Sequence, residues 1–203
     1  MDFELSPEQH AMRDAVRCMV ERELRPIVAR HDDRTLLPKP AYLEAPSLLA
    51  RQRLTAPRLP AEAGGAGIAM LDYGILFEQL PPMIGMNLMS HEGCITRLHL
   101  ECTDGQKERL LPDLLAGRKV GCTGSTEPDT GSDPRGIKTR LVSENGKLRL
   151  YGRKMWITHA SVCDVMIVRC LDARAGRGGR EVIKVVVEKD RSPFDAQEIE
   201  MIG

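Results

Sequence analysis

Aromatic residues are scarce in this 203-residue chain, at 3% of positions and with a single tryptophan. A surface that stacks successive bases needs more of them, so a nucleic-acid platform is not expected. Charge of one sign is not in excess either. Lys plus Arg (29) balance Asp plus Glu (29), so no net field draws a polyanion or an anionic membrane. The six cysteines, at 18, 94, 102, 122, 163 and 170, include no CxxC pair. They are too sparse for a disulfide scaffold and read as reduced thiols of a cytoplasmic protein. No apolar run approaches the length of a membrane span. The opening "MDFELSPEQH" has neither a basic nor an apolar targeting region, so no secretory or transit peptide is expected. With 42% hydrophobic residues, there is material for the core of one large domain or two small ones.

Helical signals dominate as far as Gly117. Ser6 as N-cap, Pro7 at the first helical position and Gln9 at the capping-box position mark a start. Met12, Val16, Met19, Val20, Leu24 and Ile27 then recur at three- and four-residue spacing and give one apolar face. Pro26 is expected to kink or end that helix. Further helices are expected over 40–51, near 71–80, over 83–100, and from a cap at Thr103 or Asp104 to Gly117.

Beyond Gly117 the pattern becomes that of strands, over 120–124, 137–143, 148–153, 164–170 and 181–187. Asn145 and Gly146 signal a type I′ hairpin between two of them. A basic, Gly-rich loop, 173–181, joins two more. The fold class is therefore α+β. An all-α helical domain over 1–118 is followed, over 119–203, by an antiparallel β-barrel-like domain that is incomplete. An open sheet edge is a liability that proteins normally cover, so something else is expected to complete the sheet after "EIEMIG".

Two stretches carry candidate chemistry. "GSTEPDTGSDPRGIKTR" (124–140) packs three carboxylates, five hydroxyls and three glycines between two strands. The hydroxyls of Ser125, Thr126, Thr130 and Ser132 can donate to carbonyl or phosphate oxygens, and Gly131 lets a ligand come close to the backbone. By composition alone it reads first as an exposed hairpin loop capped by its own side chains. It lacks the Lys of a P-loop and the ligand spacing of an EF-hand. "GRKMWITHA" (152–160) holds the lone tryptophan, Trp156, at a strand end. A lone Trp is commonly a core filler, but an indole beside the Thr158 hydroxyl also suits a flat heteroaromatic ligand.

Together, in order and spacing, the two stretches resemble the flavin-binding segments of the acyl-CoA dehydrogenase family. Residues 121–133 resemble its "G-C-x-G-x-T-E-P-x-x-G-S-D" pattern, and Lys154 to Thr158 its "K-M-W-I-T" strand. The resemblance extends along the chain through "SPEQHAMRDAVRCMVERELRPIVARHD", "LPAEAGGAGIAMLDYGILFEQL" and "EKDRSP". It implies FAD as cofactor. Thr123, Gly124, Ser125 and Thr126 are then expected at the pyrimidine edge of the flavin, where N–H donors stabilise developing negative charge. Gly131 and Ser132 are expected at the pyrophosphate or at the pantetheine end of the substrate. Trp156, Ile157 and Thr158 are expected along the isoalloxazine, and Glu127 and Pro128 shape the turn. Thr123 and Ser125 stand where the family has larger apolar residues, and His159 where Asn is common.

The implied activity is α,β-dehydrogenation of an acyl-CoA or acyl-carrier-protein thioester in fatty acid metabolism. Electrons then pass to an electron-transfer flavoprotein or a similar acceptor, within a homo-oligomer, dimer or tetramer. The family's catalytic Glu would lie beyond Gly203, so no catalytic residue is assigned. Open alternatives are a truncated or split chain that needs a partner to supply the C-terminal domain, a non-catalytic binding or assembly protein, and an acyl-CoA oxidase or flavin monooxygenase. Met83, Met86 and Met89 are helix core or the lining of an acyl pocket. His91, Cys94, His99 and Cys102 have zinc-type side chains, but a single helix cannot wrap four ligands around one ion, so no metal is expected.

Overall fold

The computed structural model describes residues 4–31, 37–174 and 181–199. The chain divides into two compact units between Val120 and Gly121. The first is helical. Its first helix, α1 (Pro7–Met19), starts as the sequence pattern demands: Ser6 Oγ accepts from the Gln9 N–H and Gln9 Oε1 accepts from the Ser6 N–H. Pro26 neither breaks the rod nor sits within a regular ladder. The chain widens into a π-turn over Val20–Leu24, where the Arg25 N–H reaches back to the Val20 carbonyl. Pro26 then falls in the first turn of α2 (Arg25–Val28), where its missing N–H has no intrahelical partner to lose.

Helices α3 (Lys39–Ala50), α4 (Met70–Phe77), α5 (Pro82–Glu101) and α6 (Asp104–Leu115) complete this unit. The spine is α5, which buries Ile84, Leu88, Cys94, Ile95 and Leu98. Leu49, Leu76, Leu110 and Leu114 are also fully enclosed, each such side chain contributing about 1.5–3 kcal/mol of transfer free energy. Glu92, on α5 and wholly buried, is met by Arg58 Nε at 2.9 Å, and the Arg58 guanidinium lies 4.7 Å from the Tyr73 ring centroid. That pair fixes the connection before α4 to the spine. The turn after α6 needs Gly117. Its φ is +67°, and a Cβ would lie 2.5 Å from the Pro46 carbonyl carbon.

The second unit is a five-stranded mixed sheet: β1 (Gly121–Gly124), β2 (Arg140–Glu144), β3 (Lys147–Tyr151), β4 (Val165–Asp172) and β5 (Val182–Glu188). β4 is central, and Val165, Met166, Ile167 and Val168 are buried in succession, as in a strand covered on both faces. β5 pairs antiparallel along its length. β1 pairs parallel with its start and β2 parallel with its end. β2 and β3 form the hairpin, with Asn145 at φ 51° and Gly146 at φ 73°, as a type I′ turn requires. The antiparallel pairings are the local ones, which the sequence pattern reveals. The parallel β1–β4 pairing spans the intervening hairpin, a non-local closure that strand periodicity does not encode. Among the described residues, the sheet is not closed into a barrel. Most of the Gly-rich loop 173–181 and the last four residues lie outside the described residues.

Candidate functional site

Where β1 ends, the chain leaves the sheet and turns sharply. The Glu127 N–H donates to the Thr130 carbonyl (2.8 Å) and the Thr130 N–H donates back to the Glu127 carbonyl (3.2 Å), closing a turn over Pro128 and Asp129. Pro128 suits its place, because its ring presets φ for the first central position of a turn. The three carboxylates of this loop are all engaged by the protein. Asp129 holds Lys138 Nζ at 2.7 Å, and Asp133 holds the Arg135 guanidinium at 2.9 Å while accepting from the Arg135 N–H.

Glu127 points inward and is buried. It accepts from the N–H groups of Lys138 (2.7 Å) and Thr139 (3.0 Å), from the Thr139 hydroxyl, and from Lys154 Nζ at 2.8 Å. Burial alone would push its carboxyl up. The ammonium of Lys154, the Thr139 hydroxyl and the two backbone donors overcome that and bring its pKa down to about 2.

The second stretch leaves β3 at Tyr151. Residues 152–158 are not a strand, against the expectation of one reaching 153 and of another over Lys154 to Thr158. Their backbone is diverted to the β1 loop instead: the Met155 N–H donates to the Thr126 carbonyl (3.0 Å), and Lys154 Nζ also donates to the Ser125 carbonyl (3.1 Å). Gly152 makes the diversion sterically allowed, since a Cβ there would lie 2.2 Å from Thr139 Oγ1. Trp156 and His159 both have left-handed backbones, at φ 59° and 73°. His159 is buried, whereas Trp156 is 58% exposed, which removes the core-filler alternative for it.

The residues singled out in the sequence fall into two sets. Thr123 (half-buried), Gly124 (buried), Ser125 (exposed) and Thr126 (half-buried) end β1 and begin the loop. They are tied by the bonds above to the segment carrying Trp156, Ile157 and Thr158, the last two half-buried. Gly131 and Ser132 lie farther along the loop, exposed, and among the described residues no hydrogen bond joins them to that segment. A Cβ on Gly131 would meet nothing within 4 Å, so the protein itself does not require glycine there. The sequence reasoning missed the clamp of Glu127, Thr139 and Lys154. The available signal was a single cation, Lys154, opening the "KMWIT" segment and a carboxylate, Glu127, inside an otherwise hydroxyl-rich loop.

What is left unengaged can be tested against an isoalloxazine ring, which offers carbonyl oxygens, ring nitrogens and a flat apolar face. Among the described residues, the N–H groups of Ser125 and Thr126 and the hydroxyls of Thr126 and Ser132 have no hydrogen-bond partner. They adjoin, through the Met155 to Thr126 bond, a segment that exposes an indole face. Free donors beside an exposed aromatic ring fit such a group. An open cavity of about 270 Å³ lies nearby, over Glu127, Pro128, Lys138, Arg140, Tyr151 and Arg153. None of the nine residues above lines it.

In the helical unit, His91 is buried with Nε2 at 2.9 Å from the Leu114 carbonyl oxygen. Among the described residues, no group of three or more His, Cys, Asp or Glu side chains is placed to hold a metal ion, and none of the six cysteines forms a disulfide. Met86 and Met89 are exposed, at 54% and 48%, so neither is helix core. Among the described residues, no helix is long and apolar enough to cross a membrane.

Residues 6–118 match the family model for the acyl-CoA dehydrogenase N-terminal domain, and residues 122–203 match that for the acyl-CoA dehydrogenase middle domain. The chain is 29% identical, over 204 residues, to the short-chain-specific acyl-CoA dehydrogenase of Clostridium acetobutylicum, an overlap covering 98% of this chain and 52% of the relative. Among solved structures it is similar to a glutaryl-CoA dehydrogenase from Mycobacterium smegmatis, at 32% identity and a TM-score of 0.77, covering 92% of this chain and 46% of that one. A glutaryl-CoA dehydrogenase from the same organism in complex with FADH2 shares 27% identity at a TM-score of 0.79, covering 96% and 49%. The chain spans about half the length of the relatives it matches.

Proposed function

The chain belongs to the acyl-CoA dehydrogenase family, and from that premise we propose that it forms the FAD-holding part of an oxidoreductase acting on an acyl thioester. The observation that carries this reading is the unengaged donor set of Ser125 and Thr126, hydrogen-bonded through Thr126 to the segment of the exposed Trp156. FAD, when bound, supplies the two-electron acceptor for desaturation between the α and β carbons.

The protein's own part is binding and electrostatics. The β1 end, from Thr123 to Thr126, would hold the pyrimidine edge with fixed N–H donors, whose dipoles need no reorganisation as charge develops. Trp156, Ile157 and Thr158 would cover the ring, and the exposed Gly131 and Ser132 would meet the pyrophosphate or the pantetheine of the substrate. Glu127 is not the base that removes the substrate's α-proton. Its oxygens are saturated by four donors, and a carboxylate held at about 2 is a weak proton acceptor at neutral pH.

Residues 1–118 and 119–203 serve as its helical and β domains in this reading. An acyl-CoA or acyl-carrier-protein thioester is the substrate, an electron-transfer flavoprotein or similar acceptor takes the electrons, and the assembly is homo-oligomeric. The test is an FAD titration of the chain, followed through its single tryptophan. Saturable quenching of Trp156, with flavin absorbance retained after gel filtration, is expected. No quenching and no retained flavin at any FAD concentration would refute the proposal.

A further inference from the structure

We infer that Lys154 is a positioning residue: with Glu127 it anchors the segment that holds Trp156 in a left-handed backbone conformation and turns the indole outward. A tryptophan at φ 59° is an outlier, because its Cβ crowds the following carbonyl. Such conformations persist only where the surroundings over-determine them. Here both flanks are tied down. Upstream, Lys154 Nζ bonds Glu127 Oε1 and the Ser125 carbonyl, and the Met155 N–H bonds the Thr126 carbonyl. Downstream, the His159 carbonyl accepts from the N–H groups of Val162 (3.0 Å) and Cys163 (2.8 Å), and the His159 ring is buried. Trp156 bridges these two anchors, with its own ring mostly outside.

Lys154 is the one side chain in this set that reaches both carbonyl and carboxylate of the β1 loop. Its ammonium is nearly enclosed, with 10% of the side chain exposed, so the pair it forms with Glu127 (5% exposed) is hardly screened by solvent. The same bonds that fix Trp156 also set the spacing between the indole and the donors of Ser125 and Thr126. The functional consequence rests on the FAD-binding proposal above; the conformational one does not.

The experiment compares the wild-type chain with Lys154→Met and Lys154→Arg, first without FAD and then with it. Without FAD, the steady-state anisotropy of Trp156 falls in Lys154→Met, as the released segment gains motion, and Lys154→Arg recovers most of the wild-type value. With FAD, the Kd of Lys154→Met rises about tenfold, one lost charge-assisted anchor being of that order. Wild-type anisotropy in a folded Lys154→Met overturns the inference. If Lys154→Met does not fold, Trp156→Gly decides instead. Glycine takes positive φ freely, so relief of strain raises the melting temperature, and an unchanged or lowered one overturns the inference. Failure of the wild type to bind FAD refutes the proposed function alone, since the anisotropy comparison is made on the apo-protein.

Discussion

Replacing Glu127 by Gln should flatten the acid side of the stability profile by a calculable amount. The folded protein holds the Glu127 carboxyl at about 2, against 4.5 for the free group. Burial opposes this and would raise the value; the bonds from Lys154, Thr139 and the Lys138 and Thr139 N–H groups reverse it. A group whose folded pKa is depressed stabilises the fold above its unfolded pKa and loses that contribution as pH falls toward the folded value. The window therefore opens near 4.5 and closes near 2. With about 1.4 kcal/mol per pKa unit, the full contribution is about 3 kcal/mol, of which about 2 kcal/mol is lost between roughly pH 6 and pH 3. The side chain is only 5% exposed, so solvent screening takes little of it.

The assay is urea unfolding of wild type and Glu127→Gln at several pH values between these limits, followed by Trp156 emission, which reports on the β unit. Every other carboxylate is common to both proteins, so the difference between the two profiles isolates Glu127. The wild type should lose about 2 kcal/mol more than the variant on acidification. At neutral pH the variant should be the less stable, because an amide keeps one acceptor oxygen where the carboxylate has two and leaves Lys154 without its charged partner. Parallel profiles would show that Glu127 titrates normally in the fold and would refute the clamp as drawn.

Gly152→Ala should destabilise the β unit by about 1–3 kcal/mol or more, since its Cβ would lie 2.2 Å from Thr139 Oγ1 and 2.7 Å from the Thr139 Cα; urea unfolding read at Trp156 checks it. Gly131→Ala is the control in the same experiment, because a Cβ at Gly131 meets nothing within 4 Å, and it should change stability by less than about 0.5 kcal/mol. Leu98→Ala, which empties a fully buried position on α5, should cost about 2–5 kcal/mol; thermal unfolding followed by helical circular dichroism measures it.

Much of the local structure was legible because its causes are local. Ser6, Pro7 and Gln9 form a start signal within four residues, and the apolar face of α1 needs only its own spacing. Asn145 and Gly146 tolerate positive φ, so the β2–β3 hairpin follows from two residues. The free donors of Ser125 and Thr126 were visible as a hydroxyl-rich loop after a strand. The diversion of residues 152–159 was not visible, because nothing in "GRKMWITHA" distinguishes a continuing strand from one drawn away by Glu127, which lies 27 residues earlier than Lys154. The π-turn before Pro26 was equally hidden: a proline predicts trouble for the ladder, but not which neighbouring turn absorbs it.

By itself, then, the sequence determined where helices and strands begin, which hairpin forms, and which polar groups crowd one loop. Those depend on spacing and on the φ each residue allows. Tertiary structure alone decided that β1 lies parallel beside β4, that the carboxylate of Glu127 turns inward to Lys154, and that Trp156 turns outward on a left-handed backbone. Each of these is, or is held by, a contact between residues far apart in the chain. Its stability comes from burial and hydrogen bonding that exist only after the chain has closed on itself, and no window of neighbouring residues contains that information.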